Sequence, residues 1–208
     1  MIPGGPGQYA RLPSFLLGFH GCDRTLAESL FSSATEDLKP SQNDYDWLGA
    51  GAYFWENDPA RALSWAESMK GRPRRSGQVI TIPAVIGAVI DPGHCLNFLE
   101  QSAVRLARMH HDLLIEECRA QGRALPTNTN PPFMAGSPDK IYRRLDRAVV
   151  ESIHRSVADN GMRAFDTVRA VFLEGQPLYP DAGFLERTHI QLCVRNPRCI
   201  LGYFRPRF

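Results

Sequence analysis

A histidine beside a glycine and a tyrosine after two glycines are the residues of this sequence most suited to chemistry. His20 and Gly21 lie in the apolar stretch GFHGC, and Gly49 and Gly51 precede Tyr53 in WLGAGAYFWE. Glycine has no side chain, so a ligand can reach the adjacent backbone N–H and C=O groups. The two stretches therefore predict a single cleft in which the rings of His20 and Tyr53 face each other, although a histidine among apolar residues is more often structural.

A basic loop is a second candidate for ligand contact. The run KGRPRRSG, residues 70–77, places Lys70, Arg72, Arg74 and Arg75 among glycines and a proline. Like charges in a run are usually solvated, yet a guanidinium also offers a fork of donors that suits a phosphate group. The loop is therefore either a solvated surface segment or a contact for an anionic ligand or a nucleic acid.

Composition places the chain among ordinary globular proteins. It has 208 residues, of which 43% are hydrophobic and 22% charged, and its formal net charge is +2. No apolar run approaches the roughly 20 residues that a membrane-spanning helix needs, so we expect no membrane partner. The N-terminus does not match a secretory signal, and the five scattered cysteines contain no CxxC pair. These features favour reduced thiols in the cytoplasm and no metal site.

The first half of the chain contains the elements that must position His20 and Tyr53. An apolar stretch predicts a buried strand at 15–20, and Asp23 then caps a helix that contains TLAESLF. The short strand AYFW carries Tyr53, and a helix capped by Asp58, with Pro59 in its first turn, follows it. Each candidate residue is therefore expected at a strand end that leads into a helix.

The rest of the chain supplies more strands and two long helices. QVITIPAVIGAVIDPG is β-branched and apolar, and two amphipathic helices follow, joined by a long loop at 123–140. Strand-like segments return before the C-terminus. Strands at both ends with helices between them predict an α+β fold around a mostly antiparallel sheet. We expect a flexible tail at 1–14 and one domain at 15–208.

Several of these stretches resemble, in order and spacing, the poly(ADP-ribose) polymerase-like ADP-ribosyltransferases. The stretches are GFHGCDRTLAESLF, GAGAYFWENDPARALSWAE, QVITIPAVIGAVID and the closing THIQLCVRNPRCILGYF. The resemblance covers residues 15–98 and 165–204, and a helical insertion at about 99–160 has no counterpart. It implies split antiparallel β-sheets with flanking helices. The chain is also similar to a group of uncharacterised bacterial proteins with YDWLGxGxYFWE and HIQxxVRN motifs, which implies no activity.

The resemblance implies an NAD site in the predicted cleft. His20 matches the histidine that hydrogen-bonds the adenine-side ribose, and the Gly21 backbone would hold the nicotinamide carboxamide. Tyr53 matches the tyrosine that stacks on nicotinamide, and Trp65 falls near the second stacking aromatic. A cationic ring gains roughly 0.5 to 2 kcal/mol from each aromatic face. With the basic loop over the pyrophosphate, the implied NAD-binding residues are His20, Gly21, Gly51, Tyr53, Phe54, Trp65, Arg72, Arg74 and Arg75.

The third motif departs from the family pattern. Chain-elongating members carry a glutamate where this sequence has Gln191, and an amide neither stabilises a cation by charge nor acts as a general base. The resemblance therefore implies single transfer without chain formation. Glu186 or Glu174, in the preceding segment, would restore a charge unless each is simply solvated. His189 shares a strand face with Gln191. The implied catalytic residues are His20, Tyr53, Gln191 and Glu186.

The function that the resemblance implies is mono-ADP-ribosyl transfer. The enzyme would use NAD as a substrate, release nicotinamide and modify a protein or nucleic-acid acceptor, without a metal. One alternative is an NAD glycohydrolase of the toxin or defence type, with water as acceptor. Others are an inactive module that binds NAD or ADP-ribose, and a structural or partner-binding domain. The implied partners are the acceptor and an inhibitory protein.

Overall fold

The computed structural model of the protein describes residues 15–33, 36–43, 46–73, 79–130 and 139–207. The tail predicted at 1–14 lies outside these ranges, within which the chain forms nine strands and four α-helices. In chain order they are β1 (Leu16–Asp23), α1 (Arg24–Ser32), β2 (Ala52–Glu56), α2 (Pro59–Ser68), β3 (Pro83–Ile90), β4 (Cys95–Asn97), α3 (Gln101–Ala120), β5 (Asn128–Thr129), β6 (Tyr142–Arg143), α4 (Arg144–Asp159), β7 (Thr167–Phe172), β8 (His189–Val194) and β9 (Ile200–Phe204).

The predicted α+β fold with a mostly antiparallel sheet is confirmed. One seven-stranded sheet has the order β4-β7-β8-β2-β1-β3-β9, and β5 pairs with β6 separately. Within the large sheet only β4 and β7 run parallel. The strand that carries His20, the strand that carries Tyr53 and the strand that carries Gln191 are therefore consecutive neighbours, in the order β1, β2 and β8.

One face of the sheet, which we call the α1 face, is closed by apolar side chains. Phe54, Ile86 and Leu192 come from three different strands and are fully buried, with no exposed surface. Helix α1 covers them, and its Leu30 belongs to the same cluster. Since alternate residues of a strand point to opposite faces, His20 lies on this face with Phe54, and the two rings are 6.0 Å apart.

The opposite face, which we call the α2 face, is covered in two places. Near β1 and β3, helix α2 lays Ala62 on Phe19 and Trp55. Near β4, β7 and β8, helices α3 and α4 cover Val168 and Cys193. The segment 99–160, predicted as an insertion, thus contributes buried side chains to the main core.

Local sequence signals explain where the helices begin and end. The Asp23 carboxylate accepts from the Thr25 N–H and also from the N–H groups of Thr81 and Ile82, which ties α1 to the start of β3. Asp58 accepts from the Arg61 N–H at the start of α2. Both predicted caps are confirmed. Of the helices in the described ranges, none is both long and apolar enough to cross a membrane.

Candidate functional site

The sheet is split between β1 and β2. These strands pair only at Gly18↔Glu56 and Phe19↔Trp55, whereas β1 pairs with β3 along its whole length. The Leu17 carbonyl accepts from the Asn57 N–H at 2.9 Å, so the odd-numbered residues of β1 direct their backbone groups toward β2. By the same alternation, the N–H and C=O of Gly21 point toward the opening that follows Phe19.

The His20 imidazole reaches across this split. Its Nδ1 lies 2.8 Å from the backbone oxygen of Tyr53. A carbonyl oxygen can only accept, so Nδ1 carries the proton and Nε2 is the acceptor nitrogen of the neutral ring. His20 therefore holds the end of β2 by a side-chain hydrogen bond at the place where the backbone ladder between the two strands has ended.

The two rings do not face each other, which corrects the predicted arrangement of the cleft. Tyr53 follows the alternation of β2 and lies on the α2 face, while His20 lies on the α1 face. The Tyr53 hydroxyl donates to the Gly49 carbonyl at 2.8 Å and accepts from the Leu48 N–H at 3.0 Å. Burial raises the pKa of Tyr53 well above its usual value. The phenol fastens its own preceding loop, and only its backbone touches His20.

The glycines and Phe54 also have structural explanations. A Cβ on Gly21 would lie 2.3 Å from the Ala62 carbonyl oxygen, so the missing side chain gives room to helix α2. A Cβ on Gly51 would lie 2.5 Å from the Cys193 Sγ, so Gly51 allows close packing against β8. Phe54 is fully buried in the α1-face core. These positions correct the prediction that the glycines mainly admit a ligand.

Gln191 is held in one orientation by a tryptophan. The Trp47 Nε1–H donates to the Gln191 Oε1 at 2.7 Å. An indole nitrogen can only donate, so the amide of Gln191 must direct its oxygen to Trp47 and its NH2 group elsewhere. The Gln191 side chain therefore presents two donors to its remaining surroundings, with one lone pair of its oxygen already used.

The other predicted site residues that the structure describes differ in position and exposure. Glu186 is exposed, and its carboxylate accepts from the Gln176 N–H at 3.2 Å within the loop between β7 and β8. Arg72 is exposed after α2. Arg74 and Arg75 lie outside the described residues. Trp65 is half-buried on α2, with its ring 5.7 Å from that of Trp55.

An aromatic cluster surrounds Gln191 on the α2 face. Trp55 lies directly across from Gln191 in the pairing of β2 and β8. The His189 ring stacks on Phe172 at 5.1 Å and lies 6.1 Å from Trp55. Trp47 meets Phe172 edge-on at 5.0 Å. The same strand alternation that put His189 beside Gln191 in the sequence pattern therefore places both in one aromatic environment.

Charged groups close this cluster on two sides. Arg61 of α2 lies over the Trp55 ring at 5.7 Å and pairs with Glu174 at 2.7 Å, and both side chains are largely buried. Arg187 also reaches Glu174, at 3.6 Å. Arg143 lies 4.2 Å from the Phe172 ring centre. Glu174, and not Glu186, is thus the carboxylate that the fold brings next to the aromatic cluster.

Several buried polar atoms have no hydrogen-bond partner among the described residues. They are Trp55 Nε1, Arg61 Nε, His189 Nε2 and His154 Nε2, and the first three belong to the cluster around Gln191. Buried polar groups are nearly always paired, so an unpaired set marks a place that needs an explanation. Burial lowers the pKa of His189 and lowers that of His154 to about 4, so both rings are neutral at pH 7.

Trp47, Trp55 and Arg61 are not among the candidates that the sequence predicted. Trp55 carried a usable signal, because it shares a strand face with Tyr53. Trp47 and Arg61 carried none, since their partners Gln191 and Glu174 are more than 100 residues away in the chain. Within the described ranges, no group of three or more His, Cys, Asp or Glu side chains is arranged to hold a metal ion.

Comparison with known proteins adds one relative. The chain is 26% identical over 206 residues to an uncharacterized protein of Methanocaldococcus jannaschii, and the match covers 88% of this chain and 83% of that protein. No protein-family model matches the chain. No solved structure matches it either.

Proposed function

We propose that the protein is a mono-ADP-ribosyltransferase that binds NAD at the split between β1 and β2. The observation that carries the proposal is the split itself, where His20 bonds the Tyr53 carbonyl at 2.8 Å and the Gly21 backbone groups point into the opening. A carboxamide carries one donor and one acceptor face, which matches a backbone N–H and C=O in one strand. The family resemblance of the three motifs adds to this physical fit.

The side chains around the split suit a dinucleotide in other respects. The His20 imidazole lies at the rim of the split, where its hydrogen bond to the Tyr53 carbonyl holds it. Trp65 and Tyr53 belong to separate clusters on the α2 face, so a planar cation would gain from the ring face of Trp65 alone. Gln191 on the third strand offers an amide to the nicotinamide-side ribose. In this arrangement Tyr53 contributes its backbone carbonyl, which holds His20, because its ring packs on the core and its hydroxyl is bound to the 48–49 loop.

Nicotinamide is a good leaving group, so the enzyme's main task is to position the reactants. A bound geometry that exposes the ribosyl carbon to an acceptor supplies most of the rate. Gln191 adds no charge, which is consistent with single transfer and with the absence of chain elongation.

A second candidate function is a module that binds NAD or ADP-ribose without catalysis. It is favoured by the Trp47–Gln191 hydrogen bond, which occupies the amide oxygen, and by the exposed position of Glu186. No charged group at the third motif would then assist departure of nicotinamide.

Two histidines make a matched test of NAD binding. His20 and His94 each place Nδ1 against a backbone carbonyl, at 2.8 Å and 2.9 Å, but only His20 lies at the split. We expect His20→Ala to abolish NAD-dependent thermal stabilisation and nicotinamide release, and His94→Ala to retain both. NAD binding that is equal in the two variants, or absent from the wild-type protein, would contradict the proposed site.

Gln191→Glu separates the transferase from the binding module. A carboxylate still accepts from Trp47 and adds a negative charge near the ribosyl cation that forms during transfer. If the wild-type protein releases nicotinamide and labels an added acceptor with ADP-ribose, the first candidate holds. If it binds NAD without turnover and Gln191→Glu gains turnover, the second candidate holds.

A further inference from the structure

Three polar atoms without a partner belong to side chains that neighbour one another beside Gln191. They are Trp55 Nε1, Arg61 Nε and His189 Nε2, none of which has a hydrogen-bond partner in the described ranges. Trp55 and His189 are each only 6% exposed. Their rings are 6.1 Å apart, and the Arg61 guanidinium lies 5.7 Å from the Trp55 ring centre. The three side chains therefore belong to one buried cluster next to the third motif.

The hydrogen-bonding capacity of this place is defined by its chemistry. Trp55 Nε1 and Arg61 Nε can only donate. His189 Nδ1 lies 2.6 Å from the Arg187 carbonyl oxygen, so Nδ1 carries the proton and Nε2 can only accept while the ring is neutral. The site therefore offers two donors and one acceptor.

A hydroxyl group is the complement of that set. It has one hydrogen to donate and two lone pairs to accept with. An ammonium or guanidinium group has donors only and would leave Trp55 and Arg61 unpaired, and a thiol accepts and donates weakly. The arrangement therefore selects an oxygen nucleophile, either water or an alcohol.

We propose that these residues form the acceptor subsite of the transferase, and that His189 is the catalytic base for a hydroxyl acceptor. The inference rests on the proposed function. The hydroxyl proton passes to His189 Nε2, and an oxygen electron pair forms the bond to C1′ of the nicotinamide-side ribose. The C1′–N bond breaks, and nicotinamide leaves with its electron pair. The N–H groups of Trp55 and Arg61 hold the oxygen while negative charge develops on it.

The surroundings of His189 lower the pKa of its imidazole, so that the ring can accept a proton at neutral pH. Burial is the largest influence and lowers its pKa, while the hydrogen bond to the Arg187 carbonyl acts in the opposite direction. Of the charged groups that face it, Arg61 lowers the pKa, whereas Glu174 and Asp58 raise it. The remaining neighbours are the rings of Phe172 and Trp55. The imidazole is therefore unprotonated at neutral pH, whereas Gln191 cannot take a proton at all.

The test compares two buried histidines in the full chain. His154 also has a buried Nε2 without a partner, but its ring packs on Phe165, away from Gln191. With NAD and 1 M methanol as probe acceptor at pH 7.5, we expect His189→Gln to slow nicotinamide release and O-methyl-ADP-ribose formation by about 100-fold or more. We expect its NAD affinity to stay within about 3-fold of the wild type, and His154→Gln to retain both properties.

Two further measurements test the inference if the His189→Gln variant does not fold. Trp55→Phe keeps a ring but removes one donor, and we expect a loss of about 2- to 10-fold in the rate with methanol. The wild-type rate should be flat above the pKa of His189 and fall in acid, as the base becomes protonated. A rate that rises in acid would overturn the inference.

The outcomes separate the two proposals. Wild-type protein that releases no nicotinamide contradicts the proposed function and this inference together. Release that is equal in His189→Gln and His154→Gln overturns only the inference. So does a preference for methylamine or 2-mercaptoethanol over methanol.

Discussion

The two faces of β1, β2 and β8 are built from the same strands and differ in whether their buried side chains are apolar or polar. On the α1 face, Phe54, Ile86 and Leu192 are fully buried and carry no polar atom. On the α2 face, the corresponding place holds Trp55, Gln191 and His189, with polar atoms left unpaired. Each unpaired buried group costs about 1–3 kcal/mol of stability. The apolar packing of the α1 face therefore stabilises the fold, whereas the unpaired polar groups of the α2 face lower its stability.

The largest expected effect on stability comes from truncating a buried side chain of the α1 face. Phe54→Ala removes a fully buried ring from the α1-face core, so the free energy of unfolding should fall by about 3–5 kcal/mol. Urea denaturation measures the loss. The matched control is Phe184→Ala, because Phe184 is 67% exposed and its removal should change stability by less than about 0.5 kcal/mol. Equal losses of stability in the two variants would show that Phe54 is not part of a closely packed core.

Acid should lower the free energy of unfolding, because three histidines on the α2 side of the sheet have lowered pKa values. Burial lowers the pKa of His154 from 6.5 to about 4, and those of His110 and His189 are also lowered. Between these pH values the unfolded chain binds protons that the folded protein does not, so the stability present above pH 6.5 is lost as the pH falls toward 4. For His154 alone the loss is about 3 kcal/mol by pH 4.

Urea denaturation at pH 7, 5.5 and 4.5 tests this dependence. His154→Gln should be less sensitive to pH than the wild type, because the substituted side chain does not titrate. The explanation fails if both proteins lose stability equally over this range.

A substitution at Gly21 tests the tight packing beside the split. Gly21→Ala places a methyl group 2.3 Å from the Ala62 backbone oxygen, so strand and helix must separate, and stability should fall by about 1–3 kcal/mol. Gly183→Ala is the control, since nothing lies within 4 Å of a Cβ there. Thermal unfolding of both variants without ligand checks the prediction. If Gly21→Ala unfolds at the same temperature as the wild type, the space between the strand and helix α2 is open.

The smallest effect is expected from the Tyr53 hydroxyl. Tyr53→Phe removes hydrogen bonds to the Leu48 N–H and the Gly49 carbonyl, and stability should fall by about 1–2 kcal/mol while NAD binding persists. Tyr179→Phe, at a 56% exposed residue, should be neutral. Isothermal titration with NAD and urea denaturation separate the two effects. Loss of NAD binding with full stability would give the phenol a direct ligand role.

The sequence predicted much of the fold because the signals involved are local. The caps at Asp23 and Asp58 and the periodicity of the long helices depend only on neighbouring residues. The shared face of His189 and Gln191 follows from strand alternation alone. The same rule, applied to β1 and β2 together, does not give the relative faces of His20 and Tyr53, because it needs the register between the two strands.

The candidate site was only partly predictable for the same reason. The strands that carry His20, Tyr53 and Gln191 were identified, but their order in the sheet depends on long-range pairing. Trp47 reaches Gln191 across 144 residues, and Arg61 reaches Glu174 across 113. No periodicity in either segment marks such a contact, since the spacing within a segment does not encode its partner.

By itself the sequence determined most of the longer helices and strands, the caps at Asp23 and Asp58, the α+β class and which residues of one strand share a face. These follow from backbone geometry and from the period of apolar side chains, which act over a few residues. The tertiary structure alone decided that β1 and β2 separate after Phe19 and Trp55, and that glycines at 21 and 51 accommodate protein neighbours. It also decided that three side chains with unpaired polar atoms neighbour one another beside Gln191. Those features depend on strand order and helix packing, which are set by burial summed over the whole chain.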